Sequence, residues 1–256
     1  MPITDLGLSE PLVRALSQFD EATPVQVAAI PAALAGRDLL VTARTGSGKT
    51  TAFVLPILEK WLAASRSKPK RLHALILVPT RELAAQVREV MQDYARELPE
   101  RIKVVSAVGG VSINPQMMAL RGGADVIVAT PGRLLDLVDH NAVSLEEVGT
   151  LVLDEADRML DLGFADELSQ ILSMLPDERQ NLLFSATFPE KIESIARDFL
   201  RDPKRIEIES EPEEIPDIEQ RAIRVDTAKR TPLLRRLIAE EKWERVLVFV
   251  GRKYTA

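Results

Sequence analysis

Two short stretches of this chain carry residue types suited to phosphate chemistry. Residues 43–50 read Ala-Arg-Thr-Gly-Ser-Gly-Lys-Thr, glycines running into a lysine and a hydroxyl. Residues 151–157 read Leu-Val-Leu-Asp-Glu-Ala-Asp, an apolar run that empties into three carboxylates within four positions. A glycine loop ending in Lys-Thr cradles phosphates through backbone N–H groups, with the lysine on the outer phosphates and the hydroxyl on Mg²⁺. Ala43 departs from the first glycine of that pattern, and its small side chain suits the turn when φ is negative there. On this reading Ala43, Thr45, Gly46, Ser47, Gly48, Lys49 and Thr50 hold the phosphates, and Thr50 and Asp154 hold the metal. Glu155 orients or deprotonates an attacking water. Lys49, Asp154 and Glu155 are then the catalytic candidates. The plainer alternatives are a glycine-rich turn with no ligand and an acidic helix N-terminus stabilised by unpaired N–H groups. The second accounts for one or two acids, but not for their delivery by an apolar strand.

The elements around these stretches must put them side by side. Apolar runs at 38–42, 72–78, 102–108, 125–129, 150–154, 181–185 and 205–208 read as strands, and most are apolar throughout rather than alternating. That suits a parallel sheet covered on both faces. Helix-length segments lie between them, at 50–65, 81–98, 131–140, 165–174 and 189–200. The alternation predicts a doubly wound α/β fold with a mostly parallel sheet and helices on both faces. Ligands bind such sheets beyond the carboxyl ends of the strands. The loop after Thr42 and the acids after Leu153 both fall at that edge. A helical lead-in at 6–30 precedes the first strand, broken at Thr23-Pro24.

Bulk composition limits the alternatives. With 256 residues, 46% hydrophobic and 28% charged, the chain is ordinary for a globular protein and unlike a disordered one. It contains no cysteine, which excludes disulfides and thiolate metal sites and fits a cytoplasmic protein. No secretory leader and no membrane-length apolar run is visible. The net charge is −6, so any nucleic-acid surface must be a local patch on an acidic body. Much of the excess falls on Glu207, Glu209, Glu211, Glu213, Glu214, Asp217 and Glu219.

With these residues in view, the chain resembles the DEAD-box ATP-dependent RNA helicases, of bacterial type. Asp154-Glu155-Ala156-Asp157 is that family's signature. Residues 19–26, Phe-Asp-Glu-Ala-Thr-Pro-Val-Gln, resemble its adenine-reading motif. Pro79-Thr80-Arg81-Glu82-Leu83-Ala84, Gly109-Gly110 and Thr130-Pro131-Gly132-Arg133 resemble its three RNA-contacting motifs. Ser185-Ala186-Thr187 resembles the motif that couples the nucleotide site to unwinding, and Leu247-Val248-Phe249-Val250 resembles the first motif of the second domain. One such string is weak, whereas seven in the family's order are specific. The resemblance implies a RecA-like nucleotide-binding domain, ATP and Mg²⁺ as cofactors, and RNA as partner, gripped without base reading. It also implies possible protein cofactors.

Residue chemistry agrees with those roles. A glutamine amide complements the N6 and N7 edge of adenine, so Gln26 can select ATP, with Phe19 as a stacking face. Taken alone, Gln26 is an ordinary helix-surface polar residue and Phe19 a core aromatic. Thr80 and Arg81, like Thr130, Gly132 and Arg133, put hydroxyls, arginines and helix N-termini at strand ends, which suits phosphodiester contacts. Gly109 and Gly110 allow close approach of a strand. Ser185 and Thr187 are placed to hydrogen-bond Asp157. Ile3 stands where the family usually has an aromatic, and Arg44 where it usually has glutamine.

The resemblance also divides the chain. Residues 1–208 are expected to form the N-terminal RecA-like domain, 209–216 an acidic linker, and 217–256 the opening of the C-terminal helicase domain, with strands at 221–225 and 245–250 and a helix at 229–240. The family's later motifs, which supply an arginine finger and the other half of the RNA clamp, do not occur here. An arginine finger is worth roughly 10³–10⁵ in related phosphoryl transfers. The chain is therefore expected to bind ATP yet hydrolyse it poorly alone. A nucleotide-dependent RNA clamp and a DNA helicase are the alternatives.

Overall fold

The computed structural model describes residues 1–19, 21–64, 71–188, 190–208 and 219–250. The chain divides into two units, Met1–Glu211 and Pro212–Ala256.

The first unit is built on seven strands: β1 (Leu39–Thr42), β2 (Ala74–Leu77), β3 (Val104–Ala107), β4 (Val126–Ala129), β5 (Thr150–Leu153), β6 (Gln180–Ser185) and β7 (Lys204–Glu207). They lie in the order β3-β4-β2-β5-β6-β1-β7 and every paired neighbour is parallel. The seven strands expected between residues 38 and 208 each form within two residues of their anticipated ends. Among the described residues this unit has nine α-helices: α1 (Glu10–Ala15), α2 (Pro24–Leu34), α3 (Lys49–Ala63), α4 (Arg81–Ala95), α5 (Asn114–Leu120), α6 (Pro131–Asp139), α7 (Ala156–Asp161), α8 (Ala165–Met174) and α9 (Glu190–Phe199).

The apolar strands supply two cores by simple alternation. Leu39, Val41, Ile76, Val126, Val128, Val152, Leu182 and Phe184 face the core shared with α2, α3 and α4. Their neighbours Leu40, Leu75, Leu77, Ile127, Leu151, Leu153 and Leu183 face the other. Successive strand side chains point to opposite faces, so a strand buried on both must be apolar at every position. In the first core Phe53 of α3 meets Phe184 of β6 edge-on, with ring centroids 5.2 Å apart.

Two expectations need correcting. The lead-in is not one helix broken at residue 23. A short 3₁₀ turn at Ile3–Leu6 and α1 come first, then α2 starts at Pro24 and continues to Leu34. Pro24 at the first helical position has no N–H to lose, so it starts a helix more readily than it interrupts one.

The second unit holds a 3₁₀ turn (Thr227–Lys229) and α10 (Arg230–Glu240), with none of their residues buried. The strands anticipated at 221–225 and 245–250 do not form. A strand exists only through a hydrogen-bonded neighbour, and these segments have none among the described residues. Leu247 and Phe249 are 79% and 89% exposed. The acidic linker expected at 209–216 lies outside the described residues.

Candidate nucleotide and RNA site

The strand order places the two chemical stretches one strand apart. β1 feeds the glycine loop, β5 delivers Asp154, and β6 lies between them, ending in Ser185. All three strands are parallel, so their carboxyl ends share one edge.

In the glycine loop, Gly46 and Gly48 have φ of +81° and +94°. Gly48 caps α3 with no side-chain hydrogen bond. The first-turn N–H groups of a helix have no partner within it, and here they open the fifteen-residue α3 toward the loop. A side chain at Gly48 would be strained at this φ and would displace Gln26 and Thr23, because its Cβ would lie 2.6 Å from Gln26 Nε2 and 2.9 Å from Thr23 Oγ1. Lys49 is buried, and its ammonium donates to the Ala43 carbonyl at 2.7 Å. Ser47 Oγ donates to the Arg44 carbonyl at 2.8 Å. Thr45 and Gly46 are exposed, and Thr50 is half-buried.

Asp154 is 3% exposed, and the Glu155 amide donates to its Oδ1 at 3.0 Å. Burial pushes its carboxyl up to about 7, the Lys49 charge pulls it down, and Glu155 and Asp157 push it up further. A buried carboxylate held beside a lysine in this way suits a divalent cation. No group of three or more acidic, histidine or cysteine ligands occurs among the described residues. A metal here would thus lean on Asp154, Thr50 and phosphate oxygens, the sparse protein ligation Mg²⁺ prefers.

Glu155 sits in the left-handed region, φ 53° and ψ 50°, which non-glycine residues seldom adopt. That turn leaves only two residues between the end of β5 and the start of α7. Arg158 pairs with the Glu155 carboxylate at 3.3 Å, leaving the Glu155 side chain 17% exposed.

Asp157 faces the end of β6. Thr187 donates both its amide, at 3.0 Å, and its hydroxyl, at 2.8 Å, to Asp157 Oδ2. The Asp157 amide donates to Ser185 Oγ at 3.3 Å. Burial raises the Asp157 carboxyl, but the hydrogen bonds from Thr187, Ser185 and nearby amides outweigh it and leave it below the ordinary range.

A cavity of about 200 Å³ adjoins the glycine loop, lined by Ile3, Phe19, Thr23, Gln26, Gly48 and Tyr94 among others. Gln26 is tied at both ends of its amide. Its Oε1 accepts from the Thr23 amide at 3.0 Å, and its Nε2 donates to the Gly48 carbonyl at 3.4 Å. A glutamine amide has two N–H groups and two lone pairs, so one of each stays free. Phe19 is 49% exposed beside it.

The three remaining loops gather at the β3–β4–β2 end of the same edge. Thr80 caps α4 by accepting from the Leu83 amide at 3.2 Å. Arg81 lies so close to Gly110 that a Cβ there would meet its Nη1 at 3.0 Å. Thr130 Oγ1 accepts from the Gly109 amide at 3.3 Å. Gly132 lies in the first turn of α6. Arg133 turns inward, its side chain 9% exposed, with its guanidinium on the Val111 carbonyl at 2.9 Å and on Asp136 at 3.3 Å. Gln116, which sequence reasoning passed over, clamps both the amide and the carbonyl of Val108, at 2.9 and 3.1 Å. Nothing in the sequence marks a residue in α5 as the support of a glycine turn six positions upstream.

A family model described as DEAD/DEAH box helicase matches residues 23–195. The chain belongs to the DEAD/DEAH box helicase family. The chain is 40% identical over 251 residues to the DEAD-box ATP-dependent RNA helicase CshA of Streptococcus pneumoniae, covering 97% of this chain and 47% of that protein. It is likewise 40% identical to the ATP-dependent RNA helicase DeaD of Escherichia coli, covering 97% and 39%. Among solved structures, a DEAD box protein from Methanococcus jannaschii aligns over 93% of this chain and 63% of its own, with TM-score 0.74 and 33% identity. The yeast DEAD-box splicing factor Prp28 aligns over 79% and 49%, with TM-score 0.74 and 38% identity. The chain thus spans about half the length of the curated helicases it matches. Its sheet is the RecA-like sheet of these DEAD-box structures. No helix among the described residues is long and apolar enough to cross a membrane.

Proposed function

We propose that this chain is the nucleotide-binding part of an ATP-dependent RNA helicase. Residues 1–208 would bind Mg²⁺-ATP and one face of an RNA strand, and residues 217–256 would open a second domain. The observation that carries this reading is the arrangement along one sheet edge: Gln26 bonded to Gly48, Lys49 near enough for its charge to act on Asp154, and Asp157 bonded to Thr187.

Bound as its magnesium complex, ATP supplies a terminal phosphoryl group that water can accept. Lys49 exchanges the Ala43 carbonyl for phosphate oxygens. Thr50 and Asp154 offer the hydroxyl and carboxylate for the metal, and Glu155 holds a water. Phe19 and the free half of the Gln26 amide take the adenine. Asp157, through Thr187 and Ser185, reports the state of this site to the end of β6. Thr80, Arg81, Gly109, Gly110, Thr130, Gly132 and Arg133 form the RNA face. Thr80, Thr130 and Arg133 act there partly by holding the loops in shape.

Two assays test the reading. This chain should bind single-stranded RNA with strong salt dependence and little sequence preference. Equal affinity for DNA of the same length would favour a DNA translocase instead. Its ATP turnover should stay low and respond little to RNA; robust RNA-stimulated turnover, abolished by Lys49→Ala, would overturn the expectation that a completed second domain is required.

A further inference from the structure

A groove of about 410 Å³ runs between α4 and β3, the edge strand of the sheet. Arg81, Ala85, Arg88 and Gln92 line its helical wall, and Ser106 and Val108 its strand wall. The four helical positions are spaced 4, 3 and 4 apart, so they form one stripe along α4. Ala85 keeps the middle of that stripe low. Arg81 closes one end, where it packs on Gly110 in the RNA face already described. Arg88 stands two turns further, about 10 Å along the helix axis.

Three features suit a nucleic-acid strand. Arg88 is exposed and, among the described residues, has neither hydrogen bond nor ion pair. The Ser106 hydroxyl is shielded from solvent and has no partner among the described residues either. Glu89, which also lines the groove, and Gln92 supply an exposed acceptor and an exposed amide on its helical wall. Arginine answers a phosphate, whereas carboxylate, amide and hydroxyl answer a ribose 2′-hydroxyl, which both donates and accepts. An extended peptide pairing with the β3 edge is the competing occupant. The groove disfavours it, because most of the lining side chains come from the helix and the cationic ones are continuous with Arg81.

We propose that this groove is a further RNA subsite, in which Arg88 takes a backbone phosphate beyond Arg81 while Glu89 and Gln92 meet the adjoining ribose. The proposal rests on the RNA reading of the Arg81–Gly110 face. It extends the footprint along α4 by one to two nucleotides.

The test is fluorescence anisotropy of this chain with labelled oligouridylates of increasing length, at several salt concentrations. The native chain should gain affinity as the oligomer becomes long enough to enter the groove. Arg88→Ala should lose most of that gain, binding the longest oligomer roughly 5- to 10-fold more weakly with a salt slope smaller by about 0.7, the loss of one single-strand phosphate. Glu89→Ala combined with Gln92→Ala should narrow the preference for RNA over DNA. Equal affinity and equal salt slope for Arg88→Ala at every length would overturn the subsite, as a peptide-bearing edge requires. An unchanged RNA-to-DNA ratio in the double variant would overturn the ribose contact. If the native chain bound no RNA at any length, the RNA reading itself would fall, a result distinct from either.

Discussion

Thr187 gives both its backbone amide and its hydroxyl to a single oxygen of Asp157, at 3.0 and 2.8 Å. That oxygen belongs to the last acid of the Asp154–Asp157 run, and Thr187 lies just past the end of β6. The two residues are 30 apart in sequence. Their contact joins the turn after β5 to the turn after β6, so a change at the carboxylates that follow β5 has a direct route to the neighbouring strand end.

Replacing that hydroxyl has a measurable consequence. Asp157 sits below the ordinary carboxylate range in the folded chain, so it contributes stability above its unfolded pKa, and this is lost as pH falls through the folded value. Thr187→Val keeps the shape and the amide but removes the hydroxyl. The Asp157 carboxyl should then titrate at higher pH in a carbon-detected NMR titration, and the chain should become more sensitive to acid. Because Asp157 is only partly buried and solvent screens it, the stability change should stay below about 1 kcal/mol.

Asp154 behaves oppositely. Its carboxyl is raised to about 7 from an ordinary 3.8, so the folded chain holds that proton more tightly than the unfolded chain does. Stability from this group is full below pH 4 and is lost as pH rises to about 7. Asp154→Asn should therefore raise the melting temperature of the metal-free chain at pH 8 while leaving it nearly unchanged at pH 4. The gain at pH 8 should be roughly 1–3 kcal/mol. Thermal melts in chelator across pH 4–8 read this directly, and parallel curves for the two proteins would refute it.

Glu155 shows a trade between stability and chemistry. A glutamate at φ 53° carries strain that glycine does not. Glu155→Gly should leave the melting temperature equal to or above that of the native chain, a stabilisation of up to about 1 kcal/mol, while removing residual ATP turnover. A clear loss of stability would mean that the Arg158 ion pair outweighs the backbone strain.

Gln26 should couple base recognition to the loop itself. Its amide bridges the Thr23 amide and the Gly48 carbonyl, so Gln26→Ala removes both links at once. We expect a loss of about 0.5–2 kcal/mol in stability. Nucleotide affinity should fall as well, with ATP losing more than GTP. Equal losses for the two nucleotides would assign Gln26 to loop support alone.

The parts legible in the sequence are those set by local periodicity. Runs such as residues 74–77 and 126–129 are apolar at every position because both faces of β2 and β4 are covered, and Gly48-Lys49-Thr50 carries its geometry with it. Contacts that close over long sequence distances were not legible in that way. Nothing in residues 19–26 says that Gln26 will reach the Gly48 carbonyl, and nothing in 130–133 says that Arg133 will fold back on Val111. The role of Asp157 came into view only through family resemblance, and the geometry then supplied its hydrogen bonds. The strands expected at 221–225 and 245–250 failed for the same reason: their apolar pattern is real, but a strand depends on a partner that pattern does not contain.

The central claim is that one sheet edge holds a nucleotide through Lys49 and the acids after β5. Isothermal titration of Mg²⁺-ATP into this chain and into Lys49→Ala tests it most directly. One binding site is expected in the native chain, with a loss of at least about tenfold in the variant, about 1.4 kcal/mol. No binding by the native chain, or the same affinity in both proteins, would contradict it.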